Sequence, residues 1–179
     1  MEIYLIRHTS VDVPKGFCYG ATDVALTDSF TTEAEAVRKR LQGVTFDAVF
    51  TSPLSRAVRL AAYCGYGDAL VDDRVTELDF GEWEMKSFDE LYKDDARFRL
   101  WCDGDYVNIP SPGGESFADQ MKRFRLFVDE KKRQGFSRIA VFTHGGILAC
   151  GLIMTGQAEA KNALSVVPPY GSVINLTVE

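Results

Sequence analysis

The chain contains two histidines. Each closes an apolar run of strand type: Ile3-Tyr4-Leu5-Ile6-Arg7-His8-Thr9 near the start and Ile139-Ala140-Val141-Phe142-Thr143-His144-Gly145-Gly146 near the end. In open α/β sheets ligands gather beyond the carboxyl ends of parallel strands, so the two imidazoles are predicted to face one bound group. Arg7 directly precedes His8. A guanidinium offers phosphate oxygens a planar fork of donors, and an imidazole can attack as a nucleophile or carry a proton, so the dipeptide suits phosphoryl chemistry. A lone histidine is more often structural; two at matching strand ends favour a composite site.

A third component is Thr51-Ser52-Pro53-Leu54-Ser55-Arg56-Ala57. It places Arg56 in the first turn of a helix that follows a strand. A cation there opposes the helix dipole by about 0.3–1 kcal/mol, a cost that a nearby anion would offset, and the free amides of the helix start would serve the same anion. The fourth component is an acid in Thr76-Glu77-Leu78-Asp79-Phe80-Gly81-Glu82-Trp83-Glu84. A carboxyl that keeps its proton near neutrality can donate it to a leaving alkoxide. Glu77, Asp79, Glu82 and Glu84 all qualify, and spacing alone does not choose among them.

These side chains need a scaffold of alternating strands and helices. Met1–Ile6 reads as a strand covered on both faces. Thr32-Glu33-Ala34-Glu35 has the spacing of a capping box for a helix running to about Gln42, with Gly43 ending it. Phe46–Thr51 reads as the second strand, and Ser52-Pro53 then opens a helix whose buried stripe is Leu54, Ala57, Val58, Ala61 and Ala62. Ser87-Phe88-Asp89-Glu90 offers another cap, before a helix carrying Leu91, Tyr92 and Trp101, and 109–114 is a loop. Phe117, Met121, Phe124 and Val128 mark a long amphipathic helix stopping near Gly135. Arg138–Thr143 is a strong strand, Gly145–Met154 its helix, and Ser172–Val178 a last strand. The order predicts a three-layer α/β/α domain over 1–179 with a mainly parallel central sheet. A helical and loop insertion around 77–114 would roof the pocket.

With 179 residues, 46% of them hydrophobic, the chain can bury a full core. A net charge of -6 argues against a nucleic-acid partner, whose affinity needs clustered cations. The start lacks a leader pattern and no apolar run approaches the ~20 residues that cross a bilayer, so a cytoplasmic protein without a membrane partner is expected. Cys18, Cys64, Cys102 and Cys150 lie far apart with no Cys-x-x-Cys pair, which fits reduced structural thiols better than a metal site. The Gly-x-Gly-x-x-Gly and Walker signatures are missing, so hydride and nucleotide-driven chemistry lose support.

Taken in order, Leu5-Ile6-Arg7-His8-Thr9, Thr51-Ser52-Pro53-Leu54-Ser55-Arg56-Ala57, Glu77-Leu78-Asp79-Phe80-Gly81-Glu82-Trp83-Glu84 and Phe142-Thr143-His144-Gly145-Gly146 resemble the blocks of the histidine phosphatase, or phosphoglycerate-mutase-like, superfamily. The resemblance implies that His8 becomes phosphohistidine, that Arg7, Arg56 and His144 hold the phosphate, that Glu77 is the acid-base residue, and that neither metal nor cofactor is needed. The usual Arg-His-Gly-Glu-Thr is replaced at Thr9-Ser10-Val11, and the asparagine that often follows has no clear counterpart. Thr9 and Thr22 are the substitute phosphate donors to examine.

Cys18-Tyr19-Gly20-Ala21-Thr22-Asp23-Val24-Ala25-Leu26, Phe80–Met85, Trp101-Cys102 and Pro112–Ser116 further resemble the α-ribazole phosphatase group. That likeness implies a small-molecule phosphate monoester as partner, with Tyr19, Trp83 and Trp101 available to stack on its base. Assembly is left open, a homodimer included. Phosphoglycerate mutase or broad phosphatase activity is the alternative within the superfamily. A phospho-ligand binding module that has lost catalysis is the alternative outside it.

Overall fold

The computed structural model describes residues 1–179. Its sheet holds β1 (Glu2–Arg7), β2 (Ala48–Thr51), β3 (Leu70–Val71), β4 (Arg138–Thr143) and β5 (Val173–Thr177) in the order β3-β2-β4-β1-β5. The pairs β1–β4, β2–β4 and β2–β3 are parallel, and β5 runs antiparallel to β1 at the edge. Because successive side chains leave opposite faces of a strand, both faces of β1 and β4 must be covered. Ile3, Leu5, Ile139 and Val141 enter one core with Phe124, Phe127 and Ile147, from α5 (Phe117–Arg133) and α6 (Gly145–Met154). Ile6, Ala140 and Phe142 enter the other with Val37 and Leu60, from α1 (Phe30–Leu41) and α2 (Ser55–Tyr63). The architecture is three-layered α/β/α with a mostly parallel sheet.

Several boundaries differ from those read in the sequence. Helix α1 begins at Phe30, so Thr32 lies inside it and closes no box with Glu35, whose carboxylate accepts from Arg38; Glu33 takes the Ser29 hydroxyl and the amide and hydroxyl of Ser10. Helix α2 begins at Ser55 rather than at Pro53. Ser52-Pro53 forms a bend in which the Ser52 hydroxyl accepts the Leu54 amide, and Asp23 caps Ser55 from a distant loop. The buried stripe of α2 is Arg56, Ala57, Leu60 and Ala61, while Val58 is 38% exposed. The stripe lies one position earlier than the apolar residues alone suggest, because Arg56 shares the buried face. Strand β3 has two exposed residues, too few to show a period, and escaped notice.

Residues 88–105 carry α3 (Phe88–Asp94), α4 (Ala96–Leu100) and a π-helical turn over Trp101–Asp105. Trp83, Phe98 and Trp101 form a small core here with Cys18 and Leu91. The Ser87 hydroxyl accepts the Glu90 amide, as the cap spacing predicts. No helix is long and apolar enough to cross a membrane.

Ser116 opens α5 with a reciprocal capping box: its hydroxyl accepts the Asp119 amide while the Asp119 carboxylate accepts the Ser116 amide. Ser116→Ala is expected to lower stability by about 1 kcal/mol in urea melts, whereas Thr32→Ala changes it by less than about 0.5 kcal/mol. Equal losses would show that Thr32, not Ser29, starts α1.

Candidate active site

Parallel pairing sets Arg7 beside Thr143, so the next residue of each strand, His8 and His144, leaves the sheet at the same end. The His8 amide donates to the Thr143 carbonyl at 3.0 Å. The two rings lie 5.2 Å apart between centroids, and both are buried. His8 Nδ1 is 2.7 Å from the carbonyl oxygen of Thr9, which can only accept, so Nδ1 carries the hydrogen and the Nε2 lone pair is free for attack. Burial, then the charges of Arg56 and Arg7, push the ring from 6.5 down to about 3 and keep it neutral.

Arg56 is fully buried, and each of its three guanidinium nitrogens donates one hydrogen bond within the protein, which leaves one N–H on each of Nη1 and Nη2 for an anion. It donates to the Gly20 carbonyl at 2.5 Å, the Thr22 carbonyl at 2.8 Å and His144 Nδ1 at 3.2 Å. Since Nδ1 accepts, His144 Nε2 carries the hydrogen and donates to Ser52 Oγ at 2.7 Å. Burial first, then Arg56, hold His144 far below the ordinary histidine range. Nδ1 offers only a lone pair, already taken by Arg56, so a phosphate oxygen reaches His144 only by competing with Ser52 for the Nε2 hydrogen.

Arg7 stacks its guanidinium on the Tyr170 ring at 4.2 Å and donates from Nη1 to the Pro168 carbonyl at 2.5 Å. Its Nε and the hydroxyl of Thr9 are buried donors without partners. Orphan donors beside a neutral imidazole suit an anion, because the unpaired groups gain charge-assisted hydrogen bonds when it arrives. Thr22 contributes its backbone rather than its hydroxyl, with its carbonyl on Arg56 and its amide on Glu84.

The four acids separate by their partners. Glu77 Oε1 accepts from the Leu78 amide at 2.9 Å, Gln120 Nε2 at 3.0 Å and the Gly146 amide at 3.2 Å, and Oε2 shares the Gly146 amide at 3.2 Å. A methyl group at Gly146 would collide with Glu77 Oε1 and the Gln120 amide, so glycine is what lets the start of α6 approach this carboxylate. Asp79 accepts the Gly81 amide in a turn, and Glu82 is exposed. Glu84 accepts the amides of Gly20, Ala21, Thr22 and Phe80, fastening the loop whose carbonyls hold Arg56.

A cavity of ≈ 280 Å³ opens beside Arg7 and Glu77, the only charged residues that line it. Tyr19 lies in its wall and hydrogen-bonds Tyr170 between phenol oxygens at 2.5 Å. Trp83 and Trp101 do not line it. Trp83 is 1% exposed, its Nε1 donates to Asp95, and both rings pack edge-on in the small core. Neither has a free face there for a base, which corrects the stacking expected from the sequence. Phe17, Phe80 and Phe88 supply the aromatic walls instead.

Tyr170, Gln120, Ser52 and Glu84 complete the site without having been assigned such roles from the sequence. Gln120 had a legible signal: it is three residues after Phe117 and four before Phe124, a polar group on the apolar stripe of α5. All four cysteines are unpaired, and burial pushes the Cys18 and Cys150 thiols up, away from nucleophilic thiolate.

The histidine phosphatase superfamily (branch 1) matches residues 3–179, and the chain belongs to that family. The adenosylcobalamin/α-ribazole phosphatase of Escherichia coli K12 is 30% identical over 157 residues, 83% of this chain and 76% of that one. The 2,3-bisphosphoglycerate-dependent phosphoglycerate mutase of a Methylobacterium species is 36% identical over 150 residues, 75% and 70% of the two chains. Phosphoserine phosphatase 1 of Hydrogenobacter thermophilus is 26% identical over 152 residues, 80% and 71% of the two chains. The crystal structure of the α-ribazole phosphatase from Shigella flexneri superposes with a TM-score of 0.87 at 24% identity, covering 100% of this chain and 91% of that one. The fold is phosphoglycerate-mutase-like.

The depressed histidines have a consequence for stability. Between pH 6.5 and about 3 the unfolded chain binds a proton at residue 8 that the folded chain refuses, so this stabilisation is complete above 6.5 and is lost as pH falls. Each ring contributes a slope of about 1.4 kcal/mol per pH unit. Urea melts between pH 6 and 5 are expected to show His8→Asn with a shallower decline than the wild type. An identical decline would mean that residue 8 titrates normally in the fold.

Proposed function

We propose that this chain is a phosphomonoesterase working through phosphohistidine at His8, with α-ribazole 5′-phosphate, or the corresponding cobamide phosphate, as its substrate. The observation that carries the reading is the cavity beside Arg7 and Glu77. Its walls are mainly aromatic and aliphatic, and Arg7 is its one cation. A phosphoglycerate brings a carboxylate in addition to its phosphate, and that second anion would meet apolar walls with no counter-charge. A ribosylated aromatic base instead places its ring against Phe17, Phe80 and Tyr19. The E. coli relative's name supports the same substrate class.

In the first step the Nε2 lone pair of His8 attacks phosphorus, the P–O bond to ribose breaks, and Glu77 gives the departing oxygen its proton. In the second, water attacks phosphohistidine, Glu77 takes the water proton, and the electrons of the P–N bond return to Nε2. Arg7, Arg56 and the Thr9 hydroxyl stabilise charge on the non-transferring oxygens. His144 holds Arg56 in place through Nδ1, and its Nε2 hydrogen is the one it has for a phosphoryl oxygen. The nucleophile remains neutral throughout the physiological range, because its environment rejects a proton.

Phosphate release from α-ribazole phosphate, 3-phosphoglycerate and a simple sugar phosphate at equal concentration tests the substrate. The first is expected to be hydrolysed fastest, and mutase turnover or equal rates on all three would overturn the assignment. His8→Ala should lose at least about 10³-fold in turnover together with the acid-labile phosphoenzyme. Glu77→Gln should lose about 10²-fold in kcat with little change in KM. Failure of the wild type to label at His8 would favour a binding module.

A further inference from the structure

Gln120 is 0% exposed and makes one close side-chain contact, from its Nε2 to Glu77 Oε1 at 3.0 Å. Its second contact, to the Thr76 carbonyl, is long at 3.5 Å, and its Oε1 is buried with no partner. An apolar residue of equal volume would fill this place on α5 without leaving an amide oxygen unpaired, so packing does not account for glutamine here. Its effect falls on the carboxylate. With Leu78, Gly146 and Gln120 all donating to Oε1, that oxygen has no room for a proton of its own, while Oε2 receives only the shared Gly146 amide.

We propose that Gln120 is a positioning residue for proton transfer: it pins Oε1 of Glu77 so that the proton for the leaving oxygen is carried by Oε2. This rests on the phosphohistidine reading above. In the step concerned, the P–O bond breaks as the His8 N–P bond forms, the bond electrons pass to the ester oxygen, and the Oε2 proton converts that oxygen to the alcohol. Without Nε2 the carboxyl can turn, and proton delivery is no longer aligned with bond cleavage.

A leaving group that departs without a proton separates this role from a structural one. Benzyl phosphate and 4-nitrophenyl phosphate both present one ring to the apolar cavity, but only the benzyl alkoxide needs protonation as it leaves. The measured quantity is kcat/KM, which reports the reaction through alcohol release. Gln120→Met is expected to lose about 10-fold to 100-fold with benzyl phosphate. With 4-nitrophenyl phosphate it should change by no more than about twofold. Equal losses on both esters, or no loss on either, would overturn the proposal. Gln120→Leu, which also lacks the N–H donor and adds no charge beside Glu77, is expected to give the same split and serves if the methionine variant melts early. Wild-type enzyme that hydrolyses neither ester nor labels at His8 would defeat the phosphohistidine reading itself, an outcome distinct from loss of the split.

Discussion

The site depends first on the register between β1 and β4. Arg7 pairs with Thr143, and the His8 amide donates to the Thr143 carbonyl, so residues more than a hundred positions apart deliver their rings to one point. Register here is enforced by burial on both faces. Moving β1 by one residue would send Ile3 and Leu5 from the α5–α6 core toward the α1–α2 core and turn the Arg7 and His8 side chains through the sheet. The energy that fixes the chemistry is therefore largely ordinary apolar burial several residues away from it.

What burial fixes in position, it also tunes in charge. His8 and His144 are removed from water next to guanidiniums, and both effects disfavour the imidazolium. Arg56 would be expensive in the same surroundings if alone. It is accommodated because Gly20, Thr22 and His144 surround it with acceptors, and because Glu84 gathers four amides to keep those carbonyls turned inward. A loop without regular structure thus serves as the counterpart of a strand end. Gly20 is required there, since a methyl group would collide with the Leu78 carbonyl.

The same distinction explains what could be read from the chain. Strand β4 and helix α6 match their expected limits because their signals, a continuous apolar run and a following Gly-Gly, are local. His8, His144, Arg7 and Arg56 were legible because strand ends announce them. The start of α1, the bend at Ser52-Pro53 and the stripe of α2 were misread because other partners decide them: Glu33 ties Ser29 to Ser10 ahead of Thr32, Asp23 caps Ser55, and the site buries Arg56. Trp83 and Trp101 were misread for a related reason. An aromatic residue in a loop-rich segment gives no sign of which side it faces, and these two close a core of their own. Choosing Glu77 over its three neighbours required knowing where the start of α6 lies.

The two parts of the site are built from different material. The imidazole–guanidinium cluster comes from the ends of β1, β2 and β4, where sheet packing leaves little freedom. The cavity comes from 17–19, 77–88, Phe117, Gln120 and 163–170, largely loops and short helices laid over the sheet edge. Loops accept substitution more readily than a buried sheet, so the cavity can change while the imidazole–guanidinium cluster stays. Relatives of 26–36% identity accordingly carry the names of a ribazole phosphatase, a serine-phosphate phosphatase and a mutase within one family. Glu77 stands where the two parts meet. Its carboxylate is anchored to the rigid part by Gly146 and to α5 by Gln120, so it keeps its place while the walls of the cavity beside it vary.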